Sequence, residues 1–229
     1  MSSVSCSFPD SKELGSQTSI TAARREGRMH PAIVKLGGSL AVGPHLKGWL
    51  SAIAGEPGAV VIVPGGGSFA DAVRAAQAAM GFDDSAAHAM AMTAMAAFGR
   101  ALQSLEPRLR IARSRAAIAR AWRTGAVPVW APETMALAAQ LPETWDLTSD
   151  SLAAWLAGEL RAPQLVLVKP VRCDGRTIGV DDLARRGVVD PLFPRYLRAS
   201  RARAWLAQPR DHGSLRDGLR RDLFPEIVV

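Results

Sequence analysis

Lysine is scarce in this chain. Of 28 basic residues only Lys12, Lys35, Lys47 and Lys169 are lysines, so arginine serves nearly everywhere a cation is wanted. A lysine kept inside an apolar strand therefore suggests a site where a compact point charge suits better than a planar fork. Cysteine is scarcer still. Cys6 and Cys173 lie far apart and form no C-x-x-C pair, which argues against a disulfide framework and fits a reducing, cytoplasmic setting. The four histidines (His30, His45, His88 and His212) show no ligand spacing, so no structural zinc site is expected. Aromatic residues make up only 6%, which leaves few platforms for stacking nucleic-acid bases. No apolar stretch reaches the roughly 20 residues that a membrane span needs. The longest, residues 86–98, is interrupted by His88 and reads as a core helix.

What is present is enough for a substantial core. The chain has 229 residues, 48% of them hydrophobic, and the expected organisation is a single α/β domain over 30–229. Residues 1–29 are polar and serine-rich with no apolar run, so they read as a flexible extension rather than a secretory signal. The net charge of +7 is carried by arginine clusters at 24–25, 108–115 and 195–203. No nucleic-acid motif accompanies them, and the reading favours anionic small molecules drawn by the field.

Two apolar strands run straight into glycines: Ile33-Val34-Lys35-Leu36-Gly37-Gly38-Ser39, then Val60-Val61-Ile62-Val63-Pro64-Gly65-Gly66-Gly67. Such strand ends expose closely approachable backbone N–H groups to an anion. Two of them in one strand–helix–strand unit hold two anionic groups near each other, the arrangement phosphoryl transfer requires. Further on, helices are expected over 46–54, 68–80, from Asp83 or Asp84 to 105, over 115–123 and over 148–160. Strands are expected over 109–112, 127–130 and 164–169. The alternation predicts a mainly parallel sheet with helices on both faces, and ligands bind beyond the carboxyl ends of such strands. After Asp174 the pattern weakens: Asp174-Gly175 reads as a turn, Pro191 and Pro194 as breaks, 202–207 as a late strand, 215–219 as helical and 226–229 as a final edge strand.

Lys35 is costly to bury unless its ammonium reaches solvent or an anion. Lys169 repeats the situation at the end of another strand. Asp150 opens a helix, where an acid either complements the dipole or orients the two lysines. Thr148, Ser149 and Ser151 add hydroxyls beside it. Arg74 follows the triple glycine by about two helical turns and is a candidate for an acceptor phosphate. His88 sits on an Ala/Met-rich helix, where a core role competes with a substrate role. No G-x-x-x-x-G-K-[ST], G-x-G-x-x-G, H-R-D, D-F-G or G-x-S-x-G motif occurs, so phosphates fall to the two glycine loops and the lysines.

K-L-G-G-S at 35–39, P-G-G-G at 64–67, T-S-D-S-L-A at 148–153 and L-V-L-V-K…D-G at 165–175 occur in the order typical of the amino acid kinase superfamily, which this chain resembles over about 33–175. The resemblance implies a three-layer αβα sandwich and an ATP- and Mg²⁺-dependent phosphoryl transfer with no covalent enzyme intermediate. It assigns Lys35 and Lys169 to the β/γ-phosphates, with Gly37, Gly38 and Ser39 beside the transferred group. Gly65, Gly66 and Gly67 then hold the acceptor, and Asp150 organises the lysines. Thr148, Ser149, Asp174 and Gly175 complete the expected nucleotide side, and Arg74, Asp84 and His88 the expected acceptor side. Residues 69–74 and 83–91 look most like the branch that phosphorylates (5-(aminomethyl)furan-3-yl)methyl phosphate in methanofuran biosynthesis. The amine of such an acceptor wants a carboxylate, for which Asp83 and Asp84 are candidates. The family's late glycine-rich segment with a lysine and its terminal Gly-Thr are missing, and 188–198 and 224–229 stand there instead. Alternatives are an amino-acid or nucleoside monophosphate kinase of the same fold, a non-catalytic nucleotide- or oxoanion-binding relative, or a nucleic-acid binder. The expected partners are a small-molecule phosphate and further copies of the chain in a homo-oligomer, with no membrane.

Overall fold

A computed structural model describes residues 31–55, 60–173, 175–215 and 224–229. The proposed 1–29 extension lies outside them, as do residues 216–219 of the helix expected at 215–219. Eight strands form one sheet in the order β3-β4-β2-β1-β5-β7-β8-β6. They are β1 (Ala32–Leu36), β2 (Val60–Pro64), β3 (Leu109–Ala112), β4 (Val127–Trp130), β5 (Gln164–Val168), β6 (Thr177–Gly179), β7 (Arg203–Ala207) and β8 (Glu226–Val228). Neighbours run parallel except β7 and β8. Every residue of β1, β2 and β5 is buried, as the continuous apolar runs predict for strands covered on both faces.

The helices are α1 (His45–Ala54), α2 (Gly67–Met80), α3 (Asp84–Leu105), α4 (Arg115–Arg123), α5 (Glu133–Ala138), α6 (Ser149–Leu160), α7 (Val180–Arg185) and α8 (Phe193–Ser200). Their ends follow local chemistry. The Asp83 carboxylate accepts the Ala86 N–H at 2.8 Å at the start of α3, and the Ser114 hydroxyl accepts the Ala117 N–H at the start of α4, the usual N-cap arrangement. Gly81, at φ 74°, ends α2 in the left-handed conformation.

Alternation along the strands divides the core. Ile33, Val61, Val63, Leu165 and Leu167 pack on one face with α6 and α8 residues such as Leu152, Leu156 and Leu197. Val34, Leu36, Ile62, Val166 and Val168 pack on the other with α1 residues such as Trp49, Leu50 and Ile53. This is the expected mainly parallel α/β sandwich.

The structure differs from the sequence reading at points after β4. Pro194 starts α8 instead of breaking it, since the first turn of a helix needs no proline N–H. The chain after Asp174 makes β6 and α7, and α5 follows β4; each is six residues or fewer, too short to carry a periodic signal. The last strand is not an edge strand. β8 lies between β7 and β6, and β6 forms the edge.

Candidate phosphoryl-transfer site

The site sits at the topological switch point of the sheet. β1 has β2 on one side and β5 on the other, with Leu36 level with Pro64 and with Val168. Their carboxyl ends, and the residues that follow, therefore lie side by side. The two glycine loops touch: a Cβ on Gly38 falls 2.1 Å from the Gly67 Cα, so only glycine permits this approach. Gly67 also holds φ at +54°, in the left-handed region that favours glycine. The Gly65 N–H donates to the Leu36 carbonyl at 2.8 Å and ties the second loop to the end of β1.

Lys35 shares its face of β1 with Ile33, by the two-residue alternation of a strand, and that face is covered by α6. Asp150, in the first turn of α6, receives both lysines. Its Oδ1 is 3.0 Å from Lys35 Nζ and its Oδ2 is 2.6 Å from Lys169 Nζ. All three side chains are largely out of solvent, with 6%, 4% and 16% of the Lys35, Asp150 and Lys169 side chains exposed. Burial pushes the Asp150 carboxyl up, but the two ammonium charges outweigh it and hold the group below the ordinary carboxylate range. Lys169 is pulled below the ordinary lysine range by burial and by the Lys35 charge, against the opposing pull of Asp150. Two cations share one carboxylate at a helix N-terminus, itself partly positive. The cluster therefore keeps a positive excess that suits a polyanion.

A second carboxylate holds this helix end. Thr148, the residue before α6, makes no side-chain cap of its own. Asp190 Oδ2 accepts the Thr148 N–H at 3.0 Å, the Thr148 hydroxyl at 2.7 Å and the Ser151 N–H at 3.0 Å. Its Oδ1 accepts the Ser151 hydroxyl. Asp190 is buried, and burial together with the Asp150 charge raises its pKa against the pull of those hydrogen bonds. Two of the N–H groups that a helix normally leaves open at its start, those of Thr148 and Ser151, are thus satisfied from about 40 residues away.

A cavity of about 530 Å³ opens over these groups. Of the residues singled out from the sequence, Lys35, Gly38, Ser39, Gly65, Gly66, Gly67, Arg74, Thr148, Ser149, Asp150 and Lys169 line it. Gly37 stands behind the lining, where an added Cβ falls 3.2 Å from Lys35 Nζ. Gly175 is not among the lining residues, and Asp174 lies outside the described residues. Asp83, Asp84 and His88, expected on the acceptor side, do not line this cavity. Asp83 is occupied as the α3 cap, and Asp84 accepts from Gln77 Nε2 at 2.8 Å. His88 is buried in α3, and burial lowers its pKa against the charge of Glu143.

Sequence reasoning missed three residues here. Asp190 carries no local signal, since its partners lie far away in sequence. Asp71 and Trp145 both line the cavity. The Trp145 indole N–H donates to Gln77 Oε1 at 2.7 Å, and the Arg74 guanidinium lies 4.2 Å from the centre of its ring. The segment leading into α6 is thereby pinned to α2.

Comparison with known proteins gives the same picture at the level of family and fold. A family model described as the amino acid kinase family matches residues 31–173. A curated protein, the (5-(aminomethyl)furan-3-yl)methyl phosphate kinase of Methanocaldococcus jannaschii, is 25% identical over 212 residues, covering 86% of this chain and 97% of that one. Among solved structures, uridylate kinase from Archaeoglobus fulgidus has a TM-score of 0.63 at 17% identity, covering 82% of this chain and 96% of that chain. UMP kinase from Ureaplasma parvum has a TM-score of 0.59 at 17% identity, covering 79% and 90%. These two likenesses are of fold alone.

Proposed function

The chain belongs to the amino acid kinase family, and we propose that this phosphotransferase moves the γ-phosphoryl group of ATP to a small phosphate monoester. The observation that carries the reading is the state of Asp150. A general base works best with a pKa near the operating pH, whereas Asp150 is held low by two ammonium groups. An acceptor hydroxyl would find no base there. A phosphate monoester or a carboxylate needs none, because either arrives already ionised, and between the two the name of the Methanocaldococcus jannaschii relative favours the phosphate.

In the proposed reaction an oxygen of the acceptor phosphate attacks the γ-phosphorus, and the bond from that phosphorus to the β,γ-bridging oxygen breaks. The products are ADP and a diphosphate monoester. Lys35 and Lys169 neutralise the charge on the β- and γ-phosphates, and Asp150 keeps both ammonium groups aimed at one place. Backbone N–H groups of Gly38 and Ser39 face the transferred group, and those of Gly66 and Gly67 the acceptor. Because the two loops are in contact, donor and acceptor are held close, and positioning of this kind supplies most of the catalysis of phosphoryl transfer. Among the described residues no group of three or more His, Cys, Asp or Glu side chains is disposed to hold a metal. Magnesium would be carried mainly by nucleotide phosphates and water. When bound, the ion would add charge neutralisation to that of the lysines.

The acceptor we favour is (5-(aminomethyl)furan-3-yl)methyl phosphate or a close analogue, the substrate in the name of the relative that spans nearly the whole chain. The test is an ADP-release screen over phosphate monoesters, this one included, with amino acids and nucleoside monophosphates alongside. Turnover only with amino acids would overturn the acceptor assignment.

A further inference from the structure

We propose that Asp71 selects an acceptor carrying a cation, binding an ammonium at the end of the molecule remote from its phosphate. The inference rests on the reading that the acceptor phosphate lies at the triple glycine.

Helix α2 turns Gly67, Ala70, Asp71 and Arg74 to the cavity, the i, i+3, i+4, i+7 stripe of one helical face. At 1.5 Å rise per residue, Asp71 stands about 6 Å along the axis from Gly67. A small zwitterion whose phosphate meets the glycine loop can therefore set its cation against Asp71. Ala91, Met92, Met95 and Leu147 also line the cavity and offer apolar contact to the body of such a molecule.

The charge inventory selects Asp71 for the task. Lys35, Lys169 and Arg74 are the cationic residues of the lining, and Asp150 and Asp71 its two carboxylates. Asp150 is committed to both lysines. Among the described residues Asp71 has one partner, Arg74 Nη1, at 3.4 Å from its Oδ1. That is long beside the roughly 2.7–2.9 Å of a strong charge-assisted bond, and both side chains are well exposed. The Arg74 guanidinium is also held over the Trp145 ring, and that ring is fixed by Gln77. A carboxylate has about four lone-pair positions, so Asp71 has capacity for a second cation. Asp83 and Asp84 are engaged away from the cavity.

The test is isothermal titration of the wild-type protein and of Asp71→Asn with two probes, 3-aminopropyl phosphate and n-propyl phosphate, which differ only in the amine. We expect the wild type to bind the aminated ester roughly two- to fivefold more tightly, the size of an exposed charge pair. Asp71→Asn is expected to bring the two affinities together. Equal wild-type affinities, or a preference that survives in Asp71→Asn, would overturn the role of Asp71 while leaving the phosphate acceptor standing. Failure of both esters to bind overturns both readings.

Discussion

Replacing Asp190 with alanine removes the one carboxylate that accepts from both ends of the α6 entry. Four donors lose their acceptor at once: the N–H and hydroxyl groups of Thr148 and of Ser151. The hydroxyls can turn elsewhere, but the Ser151 N–H is buried and stays orphaned, at a cost of about 1–3 kcal/mol. Loss of a helix cap costs about 1 kcal/mol more. Removing a buried carboxylate that its surroundings already disfavour, as its raised pKa shows, returns part of this. The net expectation is a loss of about 1–3 kcal/mol. For a protein of this size each kcal/mol moves Tm by about 2–4 °C, so the midpoint should fall by roughly 2–12 °C. Asp150 begins the same helical turn. A shift of this end on the order of 1 Å loosens its hold on the lysines and lowers kcat by about 10²-fold. Calorimetry gives the first quantity, and kinetics well below the variant's own Tm gives the second. Asp190→Asn keeps one acceptor oxygen and should fall between wild type and alanine on both scales. Wild-type Tm and kcat in Asp190→Ala would refute the view that this carboxylate positions the site.

Two further expectations concern the loops and the lysines. Gly38→Ala drives a Cβ to 2.1 Å from the Gly67 Cα, where backbone on both sides has no room to yield. Overpacking of this kind costs about 1–3 kcal/mol, so Tm should drop and turnover should be lost, and wild-type kinetics would contradict loop contact. Lys169 has a folded-state pKa below its ordinary value because of burial and the Lys35 charge. Between that pKa and the ordinary lysine value of about 10.5 the unfolded chain holds more protons, so Lys169 adds stability as pH rises while its phosphate-binding charge is being lost. The kcat/KM profile should therefore fall on its alkaline side below the ordinary lysine range. In Lys169→Arg, whose guanidinium stays charged, that limb should disappear from whatever activity remains.

The readable parts of this fold were those whose signal is local. The strands that run into glycine are β-branched and continuous, and their glycines are required where Gly38 meets Gly67. Lys35 and Lys169 stood out because the chain otherwise uses arginine, and their convergence follows from β2, β1 and β5 being neighbours. Asp190 was invisible because it acts on Thr148 and Ser151 across the fold. Asp71 sits in the alanine-rich helix α2, and only the cavity distinguishes it from a solvated surface acid. After Asp174 the strand expected at 202–207 is β7, whereas β6 and α7 gave no signal for a related reason. Three-residue strands and six-residue helices have no room for a period, and Pro194 looks alike as a helix start and as a break.

The central claim is that Lys35, Lys169 and Asp150 promote transfer from ATP to a phosphate oxygen. It is tested most directly by ³¹P NMR of the wild-type protein and Lys35→Ala with ATP, magnesium and (5-(aminomethyl)furan-3-yl)methyl phosphate. The account predicts that the monoester signal gives way to the two coupled signals of a diphosphate as ADP forms. It also predicts a rate lower by orders of magnitude in a Lys35→Ala protein that remains folded. ADP and inorganic phosphate as the only new products, or equal rates in the two proteins, would contradict it.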